Sequence, residues 1–517
     1  MQGEKCEMRT KQALKNTISS LLLEVVVAIS GLIVPRIFTA AYGSSVNGLV
    51  SSISQFITYM SLVEAGIGAA GTVSLYSPLA QKDKQSINEI VSAARIFYIK
   101  SGCIFVALVL ILTFFYPYIV HGEICDVTFI RTMILVLSVS GITDYFILGK
   151  YRVILQADQK YYVISIAQII GTIIVMFSSI ILIKINVSAL LVKTTASFVY
   201  FLRSLAVAAY FKKNYPEVSF KVSPNMEAFS QRWSALLHQV VAMIVNNTDI
   251  ILLTVMLPQN ALAEVSVYSV YNLVGYALSS LLNSICNGVR PSFGQVISRN
   301  ENDVLHRSFN FFEYVMFMLI FLCYVCMGVL IFPFVKLYSL DFTDGVTYAR
   351  WSVAILFTFM GVIQSVRLPD SMIIVAAGHY KQTQWRALIE AIINLGVSII
   401  LVKPLGIVGV LIGTCASYLY RSTDVIFYAS KYLITGTRKT TFKRLLRNVV
   451  ISAVLNFLGF LLIPAQMNSW ITWILYAVLF FLGTAVVIIG VNFIAEPSQY
   501  CECVRYIKKF VSKIKHQ

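Results

Sequence analysis

The feature that most constrains this chain is a succession of apolar stretches, each about as long as a helix needs to cross a bilayer, ~20 residues. About fourteen can be marked out, at approximately 17–38, 46–75, 94–117, 127–149, 161–183, 187–210, 233–256, 265–289, 309–333, 349–375, 384–402, 405–429, 444–464 and 469–494. Lipid offers no partner to a backbone N–H or C=O, so such stretches must close their hydrogen bonds internally, as helices. The expectation is an all-α polytopic membrane protein. With 58% hydrophobic and 13% charged residues, the chain leaves little from which a soluble core could be separated. The connections are short, and none has the length of a soluble catalytic domain.

Net charge, +17 at pH 7, could suggest a nucleic-acid partner, but its distribution argues for a membrane. The termini and the connections after even-numbered stretches hold 26 of the 41 Lys and Arg; connections after odd-numbered ones hold Lys184, Lys336 and Lys403, with Arg350 at the edge of a stretch. The positive-inside rule then places both termini in the cytoplasm. Lys5 to Lys15 followed by an apolar run is reminiscent of a signal peptide, but the run is too long and opens the repeat, so it is a retained first span. After the last span, Tyr500, Val504, Ile507, Val511 and Ile514 share one helical side, with lysines around the rest. That pattern suits a helix lying on an anionic leaflet. Cysteines, nine in number and mostly within apolar runs, serve as small buried hydrophobes; Cys323 and Cys326 lie inside a span.

Polar residues in the second stretch are patterned. Asn47, Ser51, Ser54, Thr58 and Ser61 step by three or four and form one helical stripe. A second stripe, Ser269, Tyr276, Ser280, Asn283 and Asn287, runs along the eighth stretch. The segments around them also correspond. Asn88, Ile90 and Phe97 match Asn302, Val304 and Phe311, and Ala196 to Tyr200 matches Ala416 to Tyr420. The chain therefore divides into an N-terminal lobe of six spans (1–211), a linker (212–232), a C-terminal lobe of six spans (233–430), two further spans (431–495) and a basic tail (496–517). Two stripes at equivalent places fit one water-filled cavity between two lobes, although Ser and Thr stripes also serve helix packing. Ser51, Ser54, Thr58, Tyr276, Asn283 and Asn287 are its expected walls.

Charges inside the spans sharpen the cargo. Lys100, Arg131, Lys193, Arg203, Arg367 and Arg421 fall at bilayer depth, with Arg36 at the outer end of the first span. On insertion scales each costs about 2.5–3.5 kcal/mol at mid-bilayer, so each must be paired, hydrated or used. Arg421 with Asp424, and Arg367 with Asp370, are three apart and can neutralise each other; Lys100 can snorkel. Arg36, Arg131, Lys193 and Arg203 have no opposite charge at that spacing, and all lie in the first lobe. A diphosphate headgroup needs such cations, and a guanidinium fork matches phosphate oxygens.

Several motifs carry a family resemblance: Val34-Pro35-Arg36-Ile37-Phe38, Tyr42-Gly43-Ser44, Glu64-Ala65-Gly66-Ile67-Gly68, Leu75-Tyr76-Ser77-Pro78-Leu79-Ala80 and Leu155-Gln156-Ala157-Asp158-Gln159-Lys160. With the span count and the repeat, they make the chain resemble the bacterial polysaccharide flippases. These form the Wzx-type polysaccharide-transport branch of the superfamily that also holds multidrug exporters and lipid II flippases. The resemblance implies a V-shaped fold of two six-helix lobes plus two C-terminal helices, and alternating access. It implies a cargo of undecaprenyl-diphosphate-linked oligosaccharide moved from the inner to the outer leaflet of the bacterial cytoplasmic membrane. The partners that follow are that lipid-linked sugar, anionic lipids at the basic tail, and polysaccharide assembly enzymes. Arg36 falls where the lipid II flippases carry a diphosphate-binding arginine.

Repeated transport needs an energy source, and the chain has no nucleotide-binding loop and no cofactor motif. An ion gradient is the internal option. Asp249 with its neighbours Asn246 to Thr248, Glu390 with Asn394 four residues on, and Thr414 form oxygen-rich groups that suit a small hard cation. The resembling lipid II flippases use a carboxylate-and-amide set on the seventh, eleventh and twelfth spans for sodium. Here the order within the eleventh span is swapped, which leaves both Na⁺ and H⁺ coupling open. A lipid II or teichoic-type flippase is nearly as compatible with the sequence. A multidrug exporter of cationic drugs fits the intramembrane cations less well. A membrane enzyme lacks a catalytic cluster, the acidic pair Asp341 and Asp344 reading as a solvated turn.

Overall fold

The computed structural model describes residues 2–120, 126–229 and 232–500, and every regular element among them is helical. The basic tail beyond Tyr500 lies outside the described residues. Backbone contacts divide the chain into two compact units, Met1–Ser266 with Phe342–Val346, and Val267–Asp341 with Thr347–Gln517. Twelve helices among the described residues are long and apolar enough to cross a membrane.

The first unit contains α1 (Gln2–Tyr42), α2 (Ser44–Met60), α3 (Ile67–Gln81), α4 (Lys84–Ile119), α5 (Val127–Thr143), α6 (Gly149–Ala157), α7 (Tyr162–Lys184), α8 (Ala189–Asn214) and α9 (Arg232–Met256). Its boundaries follow local chemistry. Gly43, at φ +86°, turns the chain between α1 and α2, where the Ser44 N–H donates to Asp344 Oδ2 at 2.5 Å. Asp83 caps α4 and Asp126 caps α5 by accepting the backbone N–H of Ser86 (3.2 Å) and Thr128 (2.8 Å). A π-helical turn, Asp144–Leu148, joins α5 to α6.

One expectation is corrected here. The second apolar stretch is not a single span but two helices, α2 and α3. A 3₁₀ turn over Ser61–Glu64, an extended Ala65 and a left-handed Gly66 (φ +83°) separate them. The physical reason is Glu64. Its carboxylate accepts the Tyr98 hydroxyl (3.2 Å) and faces Arg152 (3.8 Å), which also pairs with Asp144. Gly149 leaves the room that Tyr98 needs, since a Cβ there would lie 2.4 Å from its ring. The break thus places a carboxylate inside the bundle, against a phenol and a guanidinium.

Helix α10 (Ala261–Ser298) begins in the first unit and continues into the second. The second unit goes on with α11 (Asn302–Tyr338), α12 (Trp351–Val366), α13 (Leu368–Ala376), α14 (Tyr380–Leu405), α15 (Ile407–Tyr432), α16 (Arg438–Leu462) and α17 (Trp470–Ala495). The expected twelfth span is α15, which carries Arg421 and Asp424 and is not among the twelve apolar helices. Cys323 and Cys326 are free thiols on α11. Arg444 of α16, 2% exposed, ties three helices together. It donates to Glu313 of α11 at 2.7 Å and to Glu496, just past α17, at 2.6 Å; Thr441 donates to the other Glu313 oxygen at 2.6 Å. With both carboxylates and the guanidinium satisfied, this ion cluster can sit in a dry interior.

Candidate functional site

The first unit holds a pocket of about 450 Å³ between α2, α5, α7 and α8. Its chemistry is asymmetric: Lys193 and Arg203 line it, and no carboxylate does. Each cation is placed by packing rather than by a counter-charge. The Lys193 ammonium stands 4.3 Å from the centre of the Phe38 ring, which is fully buried. The Arg203 guanidinium lies 4.1 Å from the Tyr200 ring centre, one turn back on α8. Its stem rests on Gly171 of α7, where a Cβ would come within 3.2 Å of Arg203 Cδ. Neither cation forms an ion pair among the described residues. Cation–π contact holds a charge without neutralising it, so both keep their field for an anion.

Hydroxyls complete the wall. Ser54 and Thr58 of α2 are exposed and line the pocket, opposite Ser140 of α5 and Thr172 of α7. Ser197 lines it too, its hydroxyl donating to the Val136 carbonyl at 2.7 Å, which locks α8 on α5. Lys193, Ser197 and Tyr200 of α8 therefore meet Ser54 and Thr58 in one cavity.

The rest of the first stripe does not join them. Asn47 is buried and donates to Ser266 Oγ at 2.7 Å, so it packs helices instead of facing a cavity. Ser51 is half-buried and is not part of the lining. Its neighbour Ser52, off the stripe, is the better-integrated hydroxyl, bonded to Thr254 and Tyr116 at 2.8 Å each. Arg131, half-buried on α5, and Arg36, half-buried on α1 two residues before Phe38, also stand outside the lining.

The second unit treats its charges differently. Glu390 of α14 accepts from Arg367 at 2.5 Å and lies 3.5 Å from Arg421. Arg421 also donates to Asp424 at 3.0 Å, and Arg386 completes the chain on the other Asp424 oxygen. The expected pairing of Arg367 with Asp370 is thus corrected. The helix breaks at Arg367, between α12 and α13, and the guanidinium reaches across to α14. Asp370 is buried, and its Oδ2 has no hydrogen-bond partner among the described residues. Both Glu390 oxygens face guanidinium groups, a poor setting for a cation ligand. Asn394, one turn on, donates to Thr414 (3.1 Å) and Ser417 (3.4 Å). Of the expected coupling set, then, Asn394 and Thr414 do meet, Glu390 serves arginines, and Asp249 is buried on α9 in the first unit. No cluster of three His, Cys, Asp or Glu that could hold a metal occurs among the described residues. On α10, Tyr276 is 68% exposed, and Asn283 and Asn287 are exposed as well. Leu281, on the same helix, is 53% exposed, and its neighbour Leu282 is buried.

Gly171, Thr172 and Ser140 escaped the sequence reading. A lone small residue in an apolar helix says nothing until its neighbour is known, and here the neighbour is an arginine from the next helix.

No protein-family model and no curated protein matches this sequence. Solved structures do match. The lipid II flippase MurJ in an inward closed conformation aligns at TM-score 0.67, covering 91% of this chain and 98% of that one, at 16% identity. An inward-facing multidrug resistance MATE family transporter of the MOP superfamily aligns at 0.59, covering 82% and 99%, at 12% identity. A MATE transporter of Vibrio cholerae aligns at 0.53, covering 82% and 96%, at 15% identity. At these identities the likeness shows a shared fold: the chain has the polytopic helical fold seen in MOP-superfamily transporters.

Proposed function

We propose that the protein is a flippase that carries an undecaprenyl-diphosphate-linked oligosaccharide from the inner to the outer leaflet of a bacterial cytoplasmic membrane, by alternating access, for surface polysaccharide assembly. The observation that carries this reading is the carboxylate-free pocket that holds Lys193 and Arg203 between apolar helices of membrane-spanning length. A diphosphate is the lipid-borne group that repays keeping two unneutralised cations there. The hydroxyls of Ser54, Thr58 and Tyr200 suit a sugar, whose many O–H groups need partners once out of water. Arg36 and Arg131, which stand outside that lining, are further candidates for the diphosphate. The likeness to MurJ supports a lipid-linked cargo and gives weight to a second reading, a lipid II or teichoic-type flippase, which would use the same cations on a different sugar. The protein moves its cargo without chemical change. For coupling to a Na⁺ or H⁺ gradient, Asp249, Asn394 and Thr414 are the groups to examine.

The test is transport of a fluorescent undecaprenyl-diphosphate oligosaccharide in proteoliposomes. Lys193→Ala and Arg203→Ala should each slow it by at least about tenfold, the value of one charged hydrogen bond. Arg203→Lys should restore only part, because the fork is lost. Flipping at the wild-type rate in the Lys193→Ala/Arg203→Ala double variant would remove the pocket from the transport path.

A further inference from the structure

A second basic cavity, of about 600 Å³, lies in the second unit where the start of α14, the end of α15 and the start of α16 come together. We infer that it is a binding site for a phosphate group carried on a lipid. It stands apart from the Lys193 and Arg203 pocket and does not depend on the function proposed above.

The cavity is built by a tight turn. Residues 433–437 take the chain from α15 to α16, and Gly436 at φ +87° permits the reversal. Lys431 on the last turn of α15 is thereby brought beside Arg438 and Lys439 on the first turn of α16, with Arg386 of α14 as the fourth cation. No acidic residue lines the cavity. Arg386 is anchored by Asp424, whereas Lys431, Arg438 and Lys439 form no ion pair among the described residues. Aromatic rings hold the cations in place. Arg438 lies 3.7 Å from the Phe427 ring centre, Lys431 5.0 Å from Tyr432, and Arg386 5.3 Å from Tyr428.

Two further observations point to an anion. Helix α16 runs for 25 residues, yet its N-terminus receives no side-chain cap; the Thr437 hydroxyl instead donates backwards to Ile434 O at 2.9 Å. The first N–H groups of such a helix, with its positive dipole end, attract an anion. Arg438 and Lys439 sit at that positive end, an unfavourable place for cations unless an anion joins them. The surrounding side chains suit a lipid headgroup. Trp385, beside Arg386, is 74% exposed and Tyr432 52% exposed, as aromatics at a membrane–water boundary are. One to two turns into α16, Phe442 and Leu446 already present apolar surface outward.

The ligand phosphate has two sources, bulk anionic phospholipid or a polyprenyl diphosphate, and the experiment separates them. The purified full-length protein is titrated with phosphatidylglycerol, phosphatidylcholine, undecaprenyl diphosphate and inorganic phosphate, with bound lipid read by native mass spectrometry. Lys431→Gln, Arg438→Gln and Lys439→Gln are made singly and together. Lys212→Gln/Lys213→Gln/Lys221→Gln is a charge-matched control on the first unit. Each Gln should weaken phospholipid or polyprenyl-diphosphate binding about fivefold, and the triple variant about 100-fold, while the control is unchanged. Competition between phosphatidylglycerol and undecaprenyl diphosphate then shows which lipid holds the site. Equal binding by the triple variant and the wild type would overturn the assignment. So would an equal loss in the control, which would reduce the effect to net charge. Single variants that elute as folded protein keep the test valid if the triple variant does not.

Discussion

Glu390 offers the sharpest test, because the sequence and the structure give it different roles. The perturbation is Glu390→Gln, which keeps the shape and removes the charge. In the wild type the carboxylate, 5% exposed, stands 2.5 Å from Arg367 and 3.5 Å from Arg421. Arg421 retains Asp424 at 3.0 Å after the change, so one guanidinium, Arg367, loses its only ion pair among the described residues. Removing one partner of a buried pair costs about 3–5 kcal/mol. Arg367 keeps its contact with the Tyr418 ring, 4.8 Å away, which places the expectation at the lower end, about 3 kcal/mol. If the cost is an unpaired cation, Arg367→Met in the Glu390→Gln background should recover about 2 kcal/mol, a coupling of the size that neighbours in one network show. The assay is unfolding of purified protein in detergent, followed by intrinsic fluorescence, for the two single variants and the double. A Glu390→Gln protein as stable as the wild type, which loses only the dependence of transport on an ion gradient, would refute this account and return Glu390 to the coupling site.

Gly171→Val should slow transport by about tenfold or more with little loss of fold, since even a Cβ would reach within 3.2 Å of Arg203 Cδ and push the guanidinium from its place; proteoliposome flipping against detergent stability separates the two effects. Single cysteines at Ser54 and Thr58 should react with a hydrophilic thiol reagent, and those at Ile53 and Leu282, both fully buried, should not; equal labelling would deny the pocket its water. Burial raises the affinity of Glu496 for a proton, but hydrogen bonds from Arg444 and Arg447 outweigh it and hold the carboxyl below its ordinary value of 4.5. Its contribution is therefore present above pH 4.5 and lost as pH falls through the lowered value, so stability measured from pH 6 to pH 3 should decline more steeply in the wild type than in Glu496→Gln.

The sequence by itself determined the solvent, the secondary structure and most of the crossings. Apolar length does this because lipid enforces one backbone solution, and that solution is local. It also brought Lys193, Ser197 and Tyr200 to one helical face, because a period of 3.6 residues is a property of the helix alone. What the tertiary structure decided is which charges are neutralised. Spacing along a helix paired Arg367 with Asp370, yet a break after Val366 sends the guanidinium to Glu390 on another helix. The same holds for Glu64, where a carboxylate inside an apolar run is intelligible only with Tyr98 and Arg152 in place. It holds too for Arg203, whose stem lies against Gly171 of the neighbouring helix and which forms no ion pair among the described residues. A charge in a low-dielectric interior is governed by whatever lies within a few ångströms, and in a helical bundle most of those neighbours come from elsewhere in the chain.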